Sequence, residues 1–167
     1  FMVSVFFGIS NASSILTGNS VGAGEYDRAY NEGKTFLVLT LLVGILGGAL
    51  LYSIRYLVIG IYDVSGEAKG YAAQMITVMS CILPAQLLEH CLTKGVLRGG
   101  GDTKFLIFAD TAFAYIVAAP LGYLGAFVLN FPIWAVYLCL RSDNICKTVV
   151  CLWRFATKKW IRNVTLQ

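Results

Sequence analysis

Long apolar runs separated by short polar, glycine-rich loops divide the chain into five hydrophobic segments. Each run is too continuous for a half-buried strand, which would alternate apolar and polar positions. Each is close to the length of a bilayer span, about 20 residues at ~1.5 Å rise. The pattern predicts spans over about 1–17, 35–62, 70–96, 104–129 and 132–154, forming one helical lobe over 1–154, with a basic tail over 155–167. The fold class expected is all-α, a polytopic helical membrane protein. Gly44 and Gly48 in the second run have the GxxxG spacing that permits close helix contact. Pro84, inside the third, removes one backbone donor and is expected to bend or locally open the helix. The stretch from Phe105 to Leu140 has Asp110 as its one charge, and is too long for one span and tight for two. One partition turns at Asn130-Phe131-Pro132. The other turns at Pro120, spans 121–140 and leaves 142–160 as an interfacial amphipathic helix. The opening run FMVSVFFGISNASSIL lacks the basic start of a signal peptide, so it reads as the tail of a membrane helix beginning upstream, and the chain as a fragment.

Composition strengthens the membrane reading. The 167 residues are 57% hydrophobic and only 13% charged, with a mean hydropathy of +0.71. Soluble domains average nearer 25% charged residues, so a soluble domain is excluded as the default. The net charge of +4 is too small to imply nucleic-acid binding. The basic residues do sort by side. Arg28, Lys34, Lys94, Arg98, Lys104, Lys147, Arg154, Lys158, Lys159 and Arg162 fall on one side, and Arg55 and Lys69 on the other. By the positive-inside tendency the glycine-rich loops and the C-terminus are expected in the cytoplasm, in an inner or plasma membrane. Trp160, among the tail's basic residues, is expected to anchor it at the headgroup level. The five cysteines form no CxxC pair and read as small hydrophobes, with no disulfide or metal site. One histidine and no HExxH motif leave little on which to build an intramembrane enzyme. The sequons at Asn11 and Asn163, one in a span and one on the tail, are chance matches on this topology.

Two loops share a design: a helix ends, glycines follow, then an acidic residue and a new helix. They are GNSVGAGEYDRA from Gly18 and GVLRGGGDTKF from Gly95. Neither has P-loop spacing, and neither follows a strand as the dinucleotide fingerprint requires. Their glycines are expected to supply positive φ at helix C-termini, with Asp102 or Thr103 capping the next helix. These loops, Gly18–Gly24 and Gly95–Thr103, together with the tail Trp153–Trp160, make the chain resemble the C-terminal half of a multidrug and toxin extrusion transporter. LRGGGDT is the most specific part of the likeness. The resemblance implies two six-helix lobes related by a pseudo-two-fold along the membrane normal, with cation-driven export from the cleft between them. It also implies that the first lobe and the start of the second are missing here.

Ionisable residues inside spans are costly, at least ~2.5 kcal/mol each at mid-bilayer, and so point to function. On the third span Gln86, Glu89 or His90, and Thr93 or Lys94 recur on one helix face. A carboxylate beside an imidazole there could exchange protons near neutral pH, or the two could lie near enough to the membrane edge to be solvated. Asp110 lies about 9 Å into the membrane at ~1.5 Å per residue, and needs a wet cavity or a structural hydrogen bond to a neighbouring helix. On the last span Asp143 and Lys147 are spaced i, i+4 and are expected to neutralise each other, with Arg141 on a neighbouring stripe. The candidate cleft residues are therefore Glu89, His90, Asp110, Tyr115, Arg141, Asp143 and Lys147. No motif of the family fixes its coupling carboxylates onto these positions. The function expected is one lobe of an antiporter that moves H+ or Na+ inward and amphipathic organic compounds outward, with no other cofactor. Its partners would be the bilayer, the absent lobe and the small organic substrates, and no nucleic acid. A lipid-linked oligosaccharide flippase, or a non-transporting subunit held to a partner by its GxxxG face, are the alternatives.

Overall fold

The computed structural model describes residues 2–61, 66–129 and 131–161, and these are helical nearly throughout, with no strand among them. Among the described residues there are five continuous helices: α1 (Met2–Gly22), α2 (Tyr26–Ile61), α3 (Gly66–Leu97), α4 (Thr103–Val128) and α5 (Ile133–Ala156). Three apolar stretches, Tyr26–Gly60, Gly66–Leu97 and Thr103–Val128, are long and hydrophobic enough to cross a membrane. Helix α2 starts nine residues before the apolar run. Arg28 pairs with Glu25 and Glu32 at 2.9 and 3.0 Å, one helical turn to each side, and so carries the helix through polar sequence. In the ambiguous stretch the chain leaves the helix after Val128 and re-enters it at Ile133. Pro132, with its extended backbone, sets the start of α5. Pro120 stays inside α4, where a π-helical turn at Ala114–Ala118 precedes it, at the carbonyls its ring would otherwise meet, and another follows at Leu124–Val128.

Pro84 does not open its helix. Helix α3 continues through it to His90 and is wound as a π-helix only over Cys91–Leu97. The carbonyl that Pro84 leaves without its usual donor is that of Ser80, four residues back. That carbonyl lies against Gly48, where an added Cβ would come within 2.6 Å of the oxygen. Gly44 meets Pro84 itself, with a Cβ at 2.8 Å from its Cα. The GxxxG face of α2 is thus filled by α3 of the same chain, which removes the ground for the partner-held subunit. A second small-residue seam joins α1 to the other end of α3, where Gly95 lies against Ser10 and Ser13, and Gly99 against Ser14.

The distribution of polarity is inverted relative to a soluble protein. Along α5 the buried residues are Asn144, Lys147, Cys151 and Phe155, whereas Ile145 and Val149 are 56% and 62% exposed. Ser10, Ser13, Thr17, Thr40, Ser80 and Glu89 are buried as well, while Val38, Leu42, Ile45, Leu46 and Leu50 of α2 face outward. Charge and hydroxyls inside with aliphatic chains outside is stable only when the surroundings are apolar. The chain is a multi-pass membrane protein.

At the end where α1 gives way to α2 and α3 to α4, Gly24 and Gly101 hold positive φ, at 79° and 85°. Asp102 occupies the position before α4 but does not cap it. Its carboxylate is turned inward to the Arg154 guanidinium, which also lies 4.1 Å over the Phe105 ring. Trp160 is fully buried rather than at a headgroup surface. It stacks on Phe155, donates Nε1–H to the Phe155 carbonyl at 3.1 Å, and covers Gly100, where a Cβ would fall inside the indole. A ring that large packs onto backbone only where no side chain intervenes, which LRGGGDT provides. Lys158 bonds Asp27 at 2.8 Å, and that carboxylate holds its ammonium above the usual lysine range. Arg162 and the second sequon at Asn163 lie outside the described residues.

Candidate functional site

The charged residues that converge inside the bundle come from three helices. Glu89 closes the α-helical part of α3, one residue before its last α-helical position, His90. Asp110 lies two turns into α4, and Lys147 sits mid-way along α5. The Lys147 Nζ lies 2.9 Å from Glu89 Oε1 and 2.9 Å from Asp110 Oδ1, so one ammonium bridges two carboxylates. Thr93, a turn beyond Glu89, donates its hydroxyl to the Glu89 carbonyl at 2.9 Å and lies 3.2 Å from Oε1. The Lys147 and Glu89 side chains are 11% and 9% exposed, but that of Asp110 is 48% exposed. The cluster therefore has a closed end and an open one. Beside the open end is a cavity of about 300 Å³, with Thr93, Lys94, Arg98, Thr103 and Asp110 in its wall.

Two negative charges and one positive leave the cluster one unit negative. An ion stripped of water costs several kcal/mol in a low-dielectric interior unless it is paired with good geometry. Lys147 offers three donors and meets two carboxylates, so each carboxylate restrains it only partly. Uptake of one further positive charge would bring the cluster to neutrality. Neutralisation would also loosen the bridge that ties α3, α4 and α5 together.

Of the seven residues singled out by sequence, the structure brings together Glu89, Asp110 and Lys147. The expected pairing of Lys147 with Asp143 is not made; among the described residues Asp143 forms no ion pair. The reason is burial. Lys147 points inward to two acids on neighbouring helices, whereas Asp143 is partly exposed on its own helix. Nor, among the described residues, does His90 form an ion pair with Glu89, the first of the two readings left open for them. Consecutive residues on a helix diverge by about 100°, so Glu89 faces α5 while His90 faces α1. There its Nδ1 lies 3.1 Å from Ser10 Oγ and its ring meets Phe7 edge-on at 5.0 Å. His90 and Gln86 line a separate, mainly apolar cavity of about 400 Å³ with Phe6, Phe7, Leu51 and Leu83. Arg141 lies 5.5 Å from the ring of Tyr137, one turn back, and Tyr115 is 75% exposed on α4. No hydrogen bond or ion pair joins either to the cluster. Sequence reasoning missed the buried Asp102–Arg154 pair. The signal available was an acid in a turn that the basic end of α5 reaches only if the helices pack antiparallel.

Comparison with known proteins adds an independent line. The MatE family model matches residues 1–124. The chain is similar to multidrug and toxin extrusion protein 1 of Homo sapiens, 27% identical over 143 residues, which is 83% of the chain and 25% of that protein. It is similar to an uncharacterized transporter, YisQ, of Bacillus subtilis, 23% identical over 92% of the chain and 34% of the relative. It also resembles protein DETOXIFICATION 17 of Arabidopsis thaliana, 30% identical over 72% of the chain and 25% of the relative. The chain thus spans between a quarter and a third of the length of these relatives. No solved structure matches it.

Proposed function

Because this chain belongs to the MatE family, we propose that it forms most of the C-terminal lobe of a cation-coupled antiporter that exports drugs or other amphipathic organic compounds. A second lobe completes the cleft, and transport proceeds by alternating access. The observation that carries the reading is the Glu89–Lys147–Asp110 bridge, a cluster with one net negative charge inside a helical membrane bundle. In the resting packing Lys147 ties α3 to α4 through α5. Loading the cluster with one coupling cation weakens one arm of the bridge and favours a second packing of the lobe. Substrate binding draws on the same two packings, and that shared equilibrium is the coupling. The glycine-rich loops and the C-terminus face the cytoplasm in this reading, by the asymmetry of basic residues.

The test is export from cells lacking their own efflux pumps, expressing the transporter that contains this chain. Accumulation of a fluorescent organic cation is expected to fall with the native protein. It should return to the level of empty cells with Glu89→Gln combined with Asp110→Asn. Unchanged export by that double variant would remove the assignment of the coupling site to this cluster.

A further inference from the structure

The bridge has a consequence for which cation can load the site. A hard metal cation held by protein needs several oxygen ligands at once, which compete for it with water. Here the place where two carboxylates converge is already taken by an ammonium, 2.9 Å from an oxygen of each. A proton makes no such demand: it needs one oxygen and leaves the ammonium where it is. The approach is lined by positive charge. Lys94 and Arg98, on the wall of the cavity beside Asp110, have no ion-pair partner among the described residues. Two unneutralised cations at this entrance raise the energy of any monovalent cation, H+ and Na+ alike, so the choice between them falls to the bridge.

We infer that Lys147 is the selectivity element of this site: tethered between Glu89 and Asp110, it holds the position a metal cation would occupy, so that a proton loads the cluster and Na+ does not. The inference rests on the exporter reading above and deepens it. In the loading step a proton arriving through the cavity binds an Asp110 carboxylate oxygen, and the ammonium of Lys147 stays with Glu89. Unloading returns the proton to water and restores the double bridge. Charge balances, since a cluster of net −1 becomes neutral on taking one H+. The other charged and titratable groups around the cluster leave this unchanged. On α3, His90 is turned to Ser10, and Lys94 and Arg98 belong to the entrance. On α5, Cys151 is a buried thiol, Arg154 is paired with Asp102, and Asp143 lies a turn away on the less buried side.

The experiment uses proteoliposomes carrying the transporter that contains this chain, with uphill movement of a fluorescent organic cation driven by a pH gradient or by a Na+ gradient. The native protein is expected to respond to the pH gradient and, within error, not to the Na+ gradient. Lys147→Gln, which opens the space between the acids, is expected to gain a Na+ response of at least threefold over the native protein. Lys147→Arg, which keeps a cation there, is expected to remain blind to Na+. A native protein driven by Na+ overturns the inference, whatever the variants do. So does a Lys147→Gln protein that is driven by protons and indifferent to Na+. Should Lys147→Gln not assemble, binding of radioactive Na+ to the native protein decides, and saturable binding lost in Asp110→Asn overturns it. If neither gradient drives the native protein, the exporter reading itself has failed, a result distinct from all of these.

Discussion

Glu89 on α3 and Asp110 on α4 accept from the same Lys147 ammonium at equal distances, 2.9 Å, although one side chain is enclosed and the other half open. Three helices are therefore tied at one point, and the tie can be loosened from one side. That asymmetry gives the first prediction an order. Removing the lysine leaves two carboxylates facing each other, one of them buried. Removing one acid leaves the lysine paired with the other. Lys147→Met is expected to destabilise the protein by about 3–5 kcal/mol, the usual cost of stranding buried charge. Asp110→Asn should cost the least, and Glu89→Gln should fall between. Thermal unfolding in detergent micelles ranks the three; a Lys147→Met protein as stable as the native one would contradict the bridge.

The seam between α2 and α3 can be tested with a methyl group. At Gly48 a Cβ would come within 2.6 Å of the Ser80 carbonyl oxygen, a backbone atom that cannot move away alone. At neighbouring Gly47 the nearest atoms are the ends of Leu83 and Phe6, at ordinary contact distances of 3.5 and 3.6 Å. Gly48→Ala should destabilise by about 1–3 kcal/mol, the cost of overpacking. Gly47→Ala should fall within about 0.5 kcal/mol of the native protein, as substitutions away from such constraints do. Equal effects of the two would show that α2 and α3 do not meet at this register.

The two tryptophans of the C-terminal segment should behave oppositely. Trp160 is enclosed between Phe155 and Gly100, whereas Trp153 is 60% exposed on the outer face of α5. Trp160→Ala is expected to cost about 3–5 kcal/mol, as emptying a packed aromatic site does. Trp153→Ala should unfold at nearly the native temperature. If Trp160→Ala also unfolds at the native temperature, the tail is not docked on the LRGGGDT turn.

Much of this fold is legible in the sequence, because long apolar runs admit few structures other than membrane helices. The all-α bundle and the membership of the MatE family both follow from residues that can be read in order. The partners across helices are not legible in that way. Asp143 and Lys147 lie on one helix and look like a pair, while the acids that Lys147 meets are far away along the chain and close only after packing. Glu89 and His90 are neighbours in sequence and point to different helices, since adjacent helical positions diverge. Trp160 reads as a surface anchor because it lies among basic residues; what buries it is the bare backbone at Gly100, and that follows from a loop folding back on the last helix. Pro84 reads as a bend or a local opening, but Gly44 and Gly48 let α2 press against it and the helix runs on.

The measurement that bears most directly on the coupling role of the Glu89–Lys147–Asp110 bridge separates uphill transport from exchange. Proteoliposomes carrying Glu89→Gln in the complete transporter would be assayed for substrate accumulation against a gradient, and for exchange of labelled with unlabelled substrate at equal concentrations. Exchange should persist, while the accumulation ratio falls to one. Accumulation at the native ratio with Glu89→Gln would contradict the account.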